Sequence, residues 1–508
     1  MLRKVLRFLT QRVVITVLFM LIQAGLLIDI IWKLNNYFVY FYAIGVLLSL
    51  LMFLAVINGK SNPAYKIAWL VPILVVPVFG GLFYLVFGSN RTGRYIREKM
   101  SQIGEEMTEP IKQANLQSGI EEMPPDVVNQ SRYISQWAYS PPYRNTTTEY
   151  LPMGEIKFER MVKELKKAKQ YIFLEYFIIQ EGKMWNTILD ILKEKADEGV
   201  DVRVIYDDMG CIMTLPTGYD KKLREMGIKC SIFNPFVPIL SSKFNTRDHR
   251  KICVIDGNVG FTGGVNLADE YINAYEKHGH WKDTAIILKG EAVFSLTAMF
   301  LSMWDYLNGM EEDYSKYYPT EWDTDAQGFV QPFTDNPLDD EAVGETVYLN
   351  LINKAKRYVY ITTPYLILDS EMTTALSVAA KNGVDVRIIT PHVPDKWYVH
   401  AVSRAYYEML VEAGVKIFEY TPGFVHAKTF VVDDEYAVVG TINLDYRSLY
   451  LHFECAVWMY QTTAVAEVRD DFFKTQNVSQ EITLEQCQNI SWFRRLVRSL
   501  LRVLAPLM

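Results

Sequence analysis

Apolar positions crowd the start of the chain and turn periodic further on. Val13 to Trp32 (VVITVLFMLIQAGLLIDIIW) carries one acid, and Tyr37 to Asn58 (YFVYFYAIGVLLSLLMFLAVIN) carries no charge. Each is long enough to cross a hydrocarbon core of about 30 Å as a helix, so both are expected to be membrane spans. A third stretch, Ile67 to Gly88, is also apolar but holds Pro72, Pro77, Gly80 and Gly81, which interrupt the hydrogen bonds a spanning helix needs. Arg3, Lys4, Arg7 and Arg12 precede the first span, and Arg91, Arg94, Arg97 and Lys99 follow the third stretch. Because basic flanks stay in the cytoplasm, the N-terminus is expected inside and the third stretch is read as a re-entrant or interfacial hairpin, with a full third span as the alternative. A cleaved signal peptide fits less well, since the first run is longer than an h-region and lacks a small-x-small site. At the far end, Ser491 to Met508 sets Arg494, Arg495, Arg498 and Arg502 on one helical face, opposite Leu496, Leu500, Val503 and Leu507. With Trp492 and Phe493 as anchors, the pattern suits a helix lying in an anionic lipid surface; the alternative is a solvated helix packed on its own domain.

Between these ends, after a polar stretch from about Arg91 to Asn145, the pattern repeats. KAKQYIFLEY at 167–176 is answered by KAKRYVYITT at 354–363, GVDVRVI at 199–205 by GVDVRII at 383–389, and MGIKCSIF at 226–233 by AGVKIF at 413–418. Each half thus holds a strand, helix, strand unit, and such alternation implies largely parallel sheets covered by helices. The expected organisation is a membrane region 1–90, a linker 91–145, a first half 146–312, an acidic connector 313–340, a second half 341–485 and a basic helix 486–508.

Composition narrows the class. Half of the 508 residues are hydrophobic and 22% are charged, too apolar for disorder and somewhat apolar for a purely soluble enzyme. A net charge of −7 argues against a protein that coats nucleic acid. The five cysteines are scattered without CxxC spacing, which suggests neither a disulfide framework nor a zinc site, and a reducing compartment.

The chemistry sits in the repeat. His249, Lys251 and Asp256 in the first half, and His426, Lys428 and Asp433 in the second, each form H-x-K-x-x-x-x-D, trailed by Gly263-Gly264-Val265-Asn266 and Gly440-Thr441-Ile442-Asn443. On a strand, His and Lys two residues apart face the same way, so each half offers one imidazole with one ammonium. Brought together, two lysines with the Asn266 and Asn443 amides would surround a phosphate and stabilise a pentacoordinate transition state without a metal. One histidine would attack phosphorus while the other moves protons, a ping-pong phosphodiester transfer. A nucleophilic imidazole needs a carboxylate on its other nitrogen, and Asp283 and Glu454, in matching places before a strand, are the candidates. Asp256 and Asp433 precede turns, so capping the turn is as good a reading for them as touching substrate. His278, His280 and His392 are weaker candidates for lining the pocket, and no metal-ligand spacing stands on one helix.

The paired motifs with their G-G-x-N and G-T-x-N tails resemble the phospholipase D superfamily. AWLVPILVVPVFGGLFYLVFG, GGVNLADEY, HWKDTA, GTINLDYRSLYLHFE and the terminal WFRR helix resemble bacterial cardiolipin synthases in particular. The resemblance covers nearly the whole chain. It implies an α/β fold of two duplicated phospholipase D-like halves, mixed sheets flanked by helices, that share one active site and follow N-terminal transmembrane helices. It also implies a multi-pass protein of the bacterial cytoplasmic membrane with its catalytic body on the cytoplasmic side. The implied reaction condenses two phosphatidylglycerol molecules into cardiolipin and glycerol through a phosphatidyl-histidine, with no cofactor, no metal and no nucleic acid. His249, Lys251, Asp256, His426, Lys428 and Asp433 take the family's catalytic places, with His249 as nucleophile and His426 as general acid and base. Two departures stand out: the first N-terminal span is additional to the usual two apolar segments, and His452 stands where the family commonly has Asn. The competing activity is phospholipase D-type hydrolysis, with water as acceptor; intact His and Lys in both halves oppose a non-catalytic scaffold.

Overall fold

The computed structural model describes residues 12–33, 38–59, 61–77, 79–88, 123–237, 245–339 and 341–507. The first half contributes β1 (Thr146–Leu151), β2 (Tyr171–Tyr176), β3 (Asp201–Asp207), β4 (Lys229–Phe233), β5 (Arg247–Asp248), β6 (Lys251–Ile255), β7 (Val259–Gly263), β8 (His280–Lys282) and β9 (Ala285–Gly290). The second contributes β10 (Phe329–Asp335), β11 (Tyr358–Thr362), β12 (Asp385–Pro391), β13 (Lys416–Tyr420), β14 (Gly423–Val425), β15 (Thr429–Val432), β16 (Tyr436–Gly440), β17 (His452–Tyr460) and β18 (Ser479–Ile482). The main sheets run β1-β9-β7-β6-β2-β3-β4 and β10-β17-β16-β15-β11-β12-β13-β18. From β9 to β4 and from β17 to β13 the two orders correspond strand for strand, so the sequence repeat is a repeat of topology.

The sheets are mixed, which corrects the largely parallel arrangement expected from strand–helix alternation. Along the two main strand orders, among the described residues, neighbours run antiparallel except in β2-β3-β4 and β11-β12-β13, which run parallel. Their connections carry crossover helices such as Lys183–Asp197 and Ser370–Lys381. Beyond them the chain turns tightly. Asp256 and Gly257 take φ of 50° and 67°, and Asp433 and Asp434 take 56° and 61°, left-handed values that close hairpins between β6 and β7 and between β15 and β16. A tight hairpin can only be antiparallel.

One hydrophobic cluster joins both sheets. Phe173, Val254 and Ile286 pack in it with Val431, Val439 and Val457, together with the helix Val293–Asn308, buried from Val293 to Asp305. Truncating a buried phenylalanine in such a core costs about 3–5 kcal/mol, so this shared core fixes how the halves face each other. Separate clusters lie under the outer helices of each half.

Two segments expected to connect instead pack. Pro125–Trp137, within the stretch read as linker, is a helix whose Val127 and Ile134 are buried in the core of the second half. The Gln331 amide donates to the carbonyls of Ser131 and Ser140 at 3.0 and 2.6 Å. Gln331 belongs to β10, which comes from the stretch read as connector and pairs along β17 at the sheet edge. An edge strand tolerates Pro332, which masks it in the sequence pattern.

At the N-terminus, helices run over Arg12–Lys33 and Phe38–Asn58, where the hydropathy pattern marks spans. Among the described residues no helix is long and apolar enough to cross a membrane, so the two expected spans rest on the sequence alone. The third stretch doubles back. Its helix Pro63–Val75, capped by Asn62 accepting from the Ala64 N–H at 2.9 Å, gives way near Pro77 to a short helix Gly80–Phe83 and a wide turn Tyr84–Gly88. A Cβ on Gly80 would fall 2.3 Å from the Pro72 carbonyl oxygen, so only glycine lets the returning chain lie this close. The Trp69 ring closes the hairpin against Phe83 and Tyr84 at 5.6 and 5.3 Å. The basic flanks at positions 3, 4 and 7 and from 91 to 99 lie outside the described residues. At the C-terminus, the helix Trp492–Leu504 docks through Leu501 on the second half's core and Arg502 over the Tyr406 ring, leaving Trp492, Phe493, Leu496 and Leu500 exposed. All five cysteines are buried and free.

Candidate active site

The two H-x-K motifs meet because each half lends a strand to the other. β5, just before His249, runs parallel to the start of β17, and the His249 N–H donates to the Phe453 carbonyl at 2.9 Å. In the same way β14, just before His426, runs parallel to β8, and the His426 N–H donates to the Lys282 carbonyl at 2.7 Å. One residue beyond each partner stands a carboxylate. His249 Nδ1 lies 2.9 Å from both Glu454 oxygens, and His426 Nδ1 lies 2.6 Å from Asp283 Oδ2. Each imidazole is therefore oriented by a carboxylate of the opposite half. With Nδ1–H donating, Nε2 is left with its lone pair.

The lysines are buried beside the histidines. Lys251 Nζ donates to the His249 carbonyl at 2.6 Å, and Lys428 Nζ donates to that of His426. Burial pulls the Lys251 ammonium down to about 8. Burial, aided by Lys251, pulls Lys428 down to about 7. Burial and then the nearby Lys428 hold His426 at about 4, and burial followed by Lys251, Lys428 and His426 sets His249 well below its usual range. Lysines of both halves thus act on each imidazole, the electrostatic mark of one shared space. A third buried lysine, Lys157, donates to the Tyr176 hydroxyl at 3.0 Å and is lowered by burial to about 8. No local motif in the sequence marks Lys157, whose helix Gly154–Leu165 reads as an ordinary amphipathic one.

The surroundings of the two imidazoles differ. His426 is ringed by Tyr271, Trp281 and Phe424 at centroid distances of 5.7, 5.6 and 5.9 Å. His249 meets Phe177 at 5.0 Å and His452 at 5.6 Å. The Thr441 hydroxyl donates to Glu454, whereas the matching place in the first half is Gly264, where a Cβ would lie 2.0 Å from Asp283 Oδ1. Thr441 is a supporting residue that sequence reasoning did not pick out; the G-T against G-G difference in the two tails is its only trace.

The other expected residues are placed as follows. Asn266 accepts from the Ile178 N–H at 3.0 Å and donates to the Tyr271 hydroxyl at 2.7 Å. Asn443 donates to Ser448 Oγ at 3.0 Å, and its amide oxygen is buried without a partner among the described residues. The Asp256 carboxylate accepts the N–H groups of Lys169, Gln170 and Tyr171, and that of Asp433 accepts those of Lys356, Arg357 and Tyr358, all at 2.7–2.9 Å. Both aspartates thus pin the entry to β2 or β11, each hydrogen bond to a charged acceptor contributing about 1.5–3 kcal/mol. His280 pairs with the Tyr420 hydroxyl and His392 with Glu419, both at 2.8 Å, while the His278 ring lies tilted 6.2 and 6.1 Å from those of Trp281 and Phe424. A possible ligand cluster, absent from any single helix in the sequence, is assembled by the fold: His249, His452 and Glu454 set three ligand atoms within 4.8 Å of one another. The ammonium groups acting on His249 oppose a dication there.

The arrangement of two oriented imidazoles and two buried lysines can bind a phosphodiester anion and pass its phosphoryl group through a histidine. A family model described as "Cardiolipin synthase, PLD-like domain" matches residues 161–304 and 348–475, and one described as "Phospholipase_D-nuclease N-terminal" matches residues 47–89. A cardiolipin synthase of a Geobacillus strain is 37% identical over 465 residues, covering 90% of this chain and 92% of its own. One of Halalkalibacterium halodurans is 35% identical over 476 residues, covering 92% and 94%. Among solved structures, the phosphatidylserine synthase of Haemophilus influenzae superposes with a TM-score of 0.57 at 15% identity over 75% of this chain and 98% of that one, a likeness of fold.

Proposed function

Because the chain belongs to the cardiolipin synthase family of the phospholipase D superfamily, we propose that it moves a phosphatidyl group from one phosphatidylglycerol to a hydroxyl of a second, giving cardiolipin and glycerol. It is a phosphatidyltransferase. The observation that carries the reading is the crossed pairing of His249 with Glu454 and His426 with Asp283 around two buried lysines. His249 Nε2 attacks phosphorus, the bond to the leaving glycerol oxygen breaks, and His426 protonates that oxygen. His426 then takes the proton of the incoming hydroxyl, whose oxygen displaces His249. Lys251 and Lys428 face the added charge of each pentacoordinate state. An anion in this space favours the charged form of every cation around it, so the phosphodiester restores to His426 and the lysines the protons that burial disfavours. Product analysis tests the reading: purified full-length protein given phosphatidylglycerol vesicles should yield cardiolipin and equal glycerol by mass spectrometry, with none from His249→Ala. Phosphatidic acid in place of cardiolipin would make it a hydrolase.

The same groups set the pH dependence. kcat/KM reports the unliganded protein, in which Lys428 and Lys251 lose their protons near pH 7 and 8, so it should fall as pH rises through that window. Toward acid it should fall as His249, held by burial well below the usual imidazole range, gains a proton and loses the lone pair that attacks phosphorus. Bound anion raises both lysines, so the alkaline limb of kcat should lie above that of kcat/KM. Coincident limbs would speak against the lysines as phosphate ligands.

We also place the chain in the bacterial cytoplasmic membrane as a multi-pass protein. Support comes from the apolar runs Val13 to Trp32 and Tyr37 to Asn58 in the sequence, each long enough to span about 30 Å as a helix. It also comes from the basic flanks and the N-terminal family match. In this reading the third stretch stays at the interface as a hairpin, the catalytic body is cytoplasmic, and the helix Trp492–Leu504 lays its exposed apolar stripe on the lipid surface.

A further inference from the structure

A cavity of about 500 Å³ lies where the N-terminal hairpin meets the second half, and the chemistry described so far makes no use of it. One wall is apolar and comes from the membrane-side elements, with Met52, Ala55 and Leu85; Leu449 and Leu451 face it from the catalytic body. The joint between the two sides is fixed rather than loose. Asn62, which caps the hairpin's first helix, donates to Asp369 Oδ2 and to the Tyr450 hydroxyl, both at 2.9 Å. Asn62 and Tyr450 both line the cavity.

His452 of the catalytic body also lines the cavity, its ring 5.6 Å from that of His249. Neither ring nitrogen of His452 has a hydrogen-bond partner among the described residues, and Nδ1 stands 3.7 Å from Glu454, beyond hydrogen-bonding range. Asp335, beside it, sits opposite Glu454 in the β10–β17 ladder. Burial holds His452 at about 4, so its imidazole is neutral at neutral pH, and burial pushes the Asp335 carboxyl well above its usual range. A neutral imidazole with both buried nitrogens unpartnered has one donor and one acceptor to offer, which matches an alcohol.

We infer that this cavity is a lipid-binding site: it takes an acyl chain of one phosphatidylglycerol from the membrane side and leads that lipid's glycerol headgroup past His452 to His249. The inference rests on the transferase reading above. Three features select this occupant over a small soluble ligand. The apolar side chains of Met52, Ala55 and Leu85 come from the segments read as facing the membrane, the unpartnered His452 in the lining has its ring 5.6 Å from that of His249, and the size falls within the about 300–1,000 Å³ in which pockets bury a ligand.

The test is photolabelling of the full-length protein in nanodiscs, using phosphatidylglycerol with a diazirine in one acyl chain. Peptide mass spectrometry should find adducts on Met52, Leu85 or Leu449, suppressed by excess unlabelled phosphatidylglycerol. Labelling confined to the outer faces of the N-terminal helices, or cavity labelling that does not compete, would overturn the site. Filling the cavity with Ala55→Trp should raise KM for phosphatidylglycerol by about tenfold or more, with the loss falling on KM rather than kcat. An unchanged KM in a folded variant would overturn it equally, and if that variant does not fold the labelling still decides. Wild-type protein that makes phosphatidic acid instead of cardiolipin would refute the transferase reading while leaving the labelling result interpretable.

Discussion

Alanine at either His249 or His426 is expected to lower cardiolipin formation by about 10³-fold or more, with the protein still folded. The first substitution removes the atom that attacks phosphorus, so no covalent phosphatidyl-enzyme forms. The second leaves the nucleophile but takes away the group that protonates the departing glycerol and deprotonates the acceptor. Because both serve one reaction centre, the double variant should be little slower than either single one. Each imidazole is buried, and its loss leaves Glu454 or Asp283 without its main partner, so a stability loss of about 1–3 kcal/mol accompanies the change. Rates by lipid mass spectrometry and thermal unfolding separate the two effects. Full activity in one single variant would contradict the shared centre.

The second large effect is expected at the orienting carboxylates. Glu454→Gln keeps size and shape but offers an amide to an imidazole nitrogen that must donate, so the wrong tautomer becomes available and kcat should fall by about 10²–10⁴-fold. Asp283→Asn should do the same for the other histidine. The pairing crosses between halves, and this is directly measurable. In double-mutant cycles on unfolding free energy, His249 should couple to Glu454, and His426 to Asp283, by about 0.5–3 kcal/mol. Residues within one half, His249 with Asp283 or His426 with Glu454, should show coupling near zero. A cycle in which the within-half pairs couple instead would reverse the assignment.

Much of this centre was legible in the chain because its signals are local. The spacing of His249 to Lys251 and of His426 to Lys428 needs only the two-residue period of an extended strand, and DTAI from Asp283 against ECAV from Glu454 is visible once the halves are aligned. The crossing was not legible. β5 and β14 are strands of two and three residues, too short to leave a pattern, and their register against β17 and β8 is set by the shared core rather than by nearby sequence. The hairpins at Asp256-Gly257 and Asp433-Asp434 carry a turn signal, yet the strand–helix rhythm upstream suggested a parallel sheet. Thr441 and Lys157 look unremarkable in the sequence because their partners, Glu454 and Tyr176, are chosen in three dimensions. The helix Pro125–Trp137 was missed for a related reason: it is polar on average, and its few buried residues count only against a distant surface.

The two histidines share a skeleton but not their neighbours, and this gives the centre a polarity. A symmetric duplication would present a diester with identical hemispheres and no preference for which ester oxygen faces which side. Here one hemisphere is an aromatic box of Tyr271, Trp281 and Phe424, closed to hydrogen bonding except at its edges, while the other ends in the His452 imidazole. The two ester oxygens of a bound diester therefore meet unlike walls, so the divergence of side walls turns a two-fold scaffold into a one-way conduit.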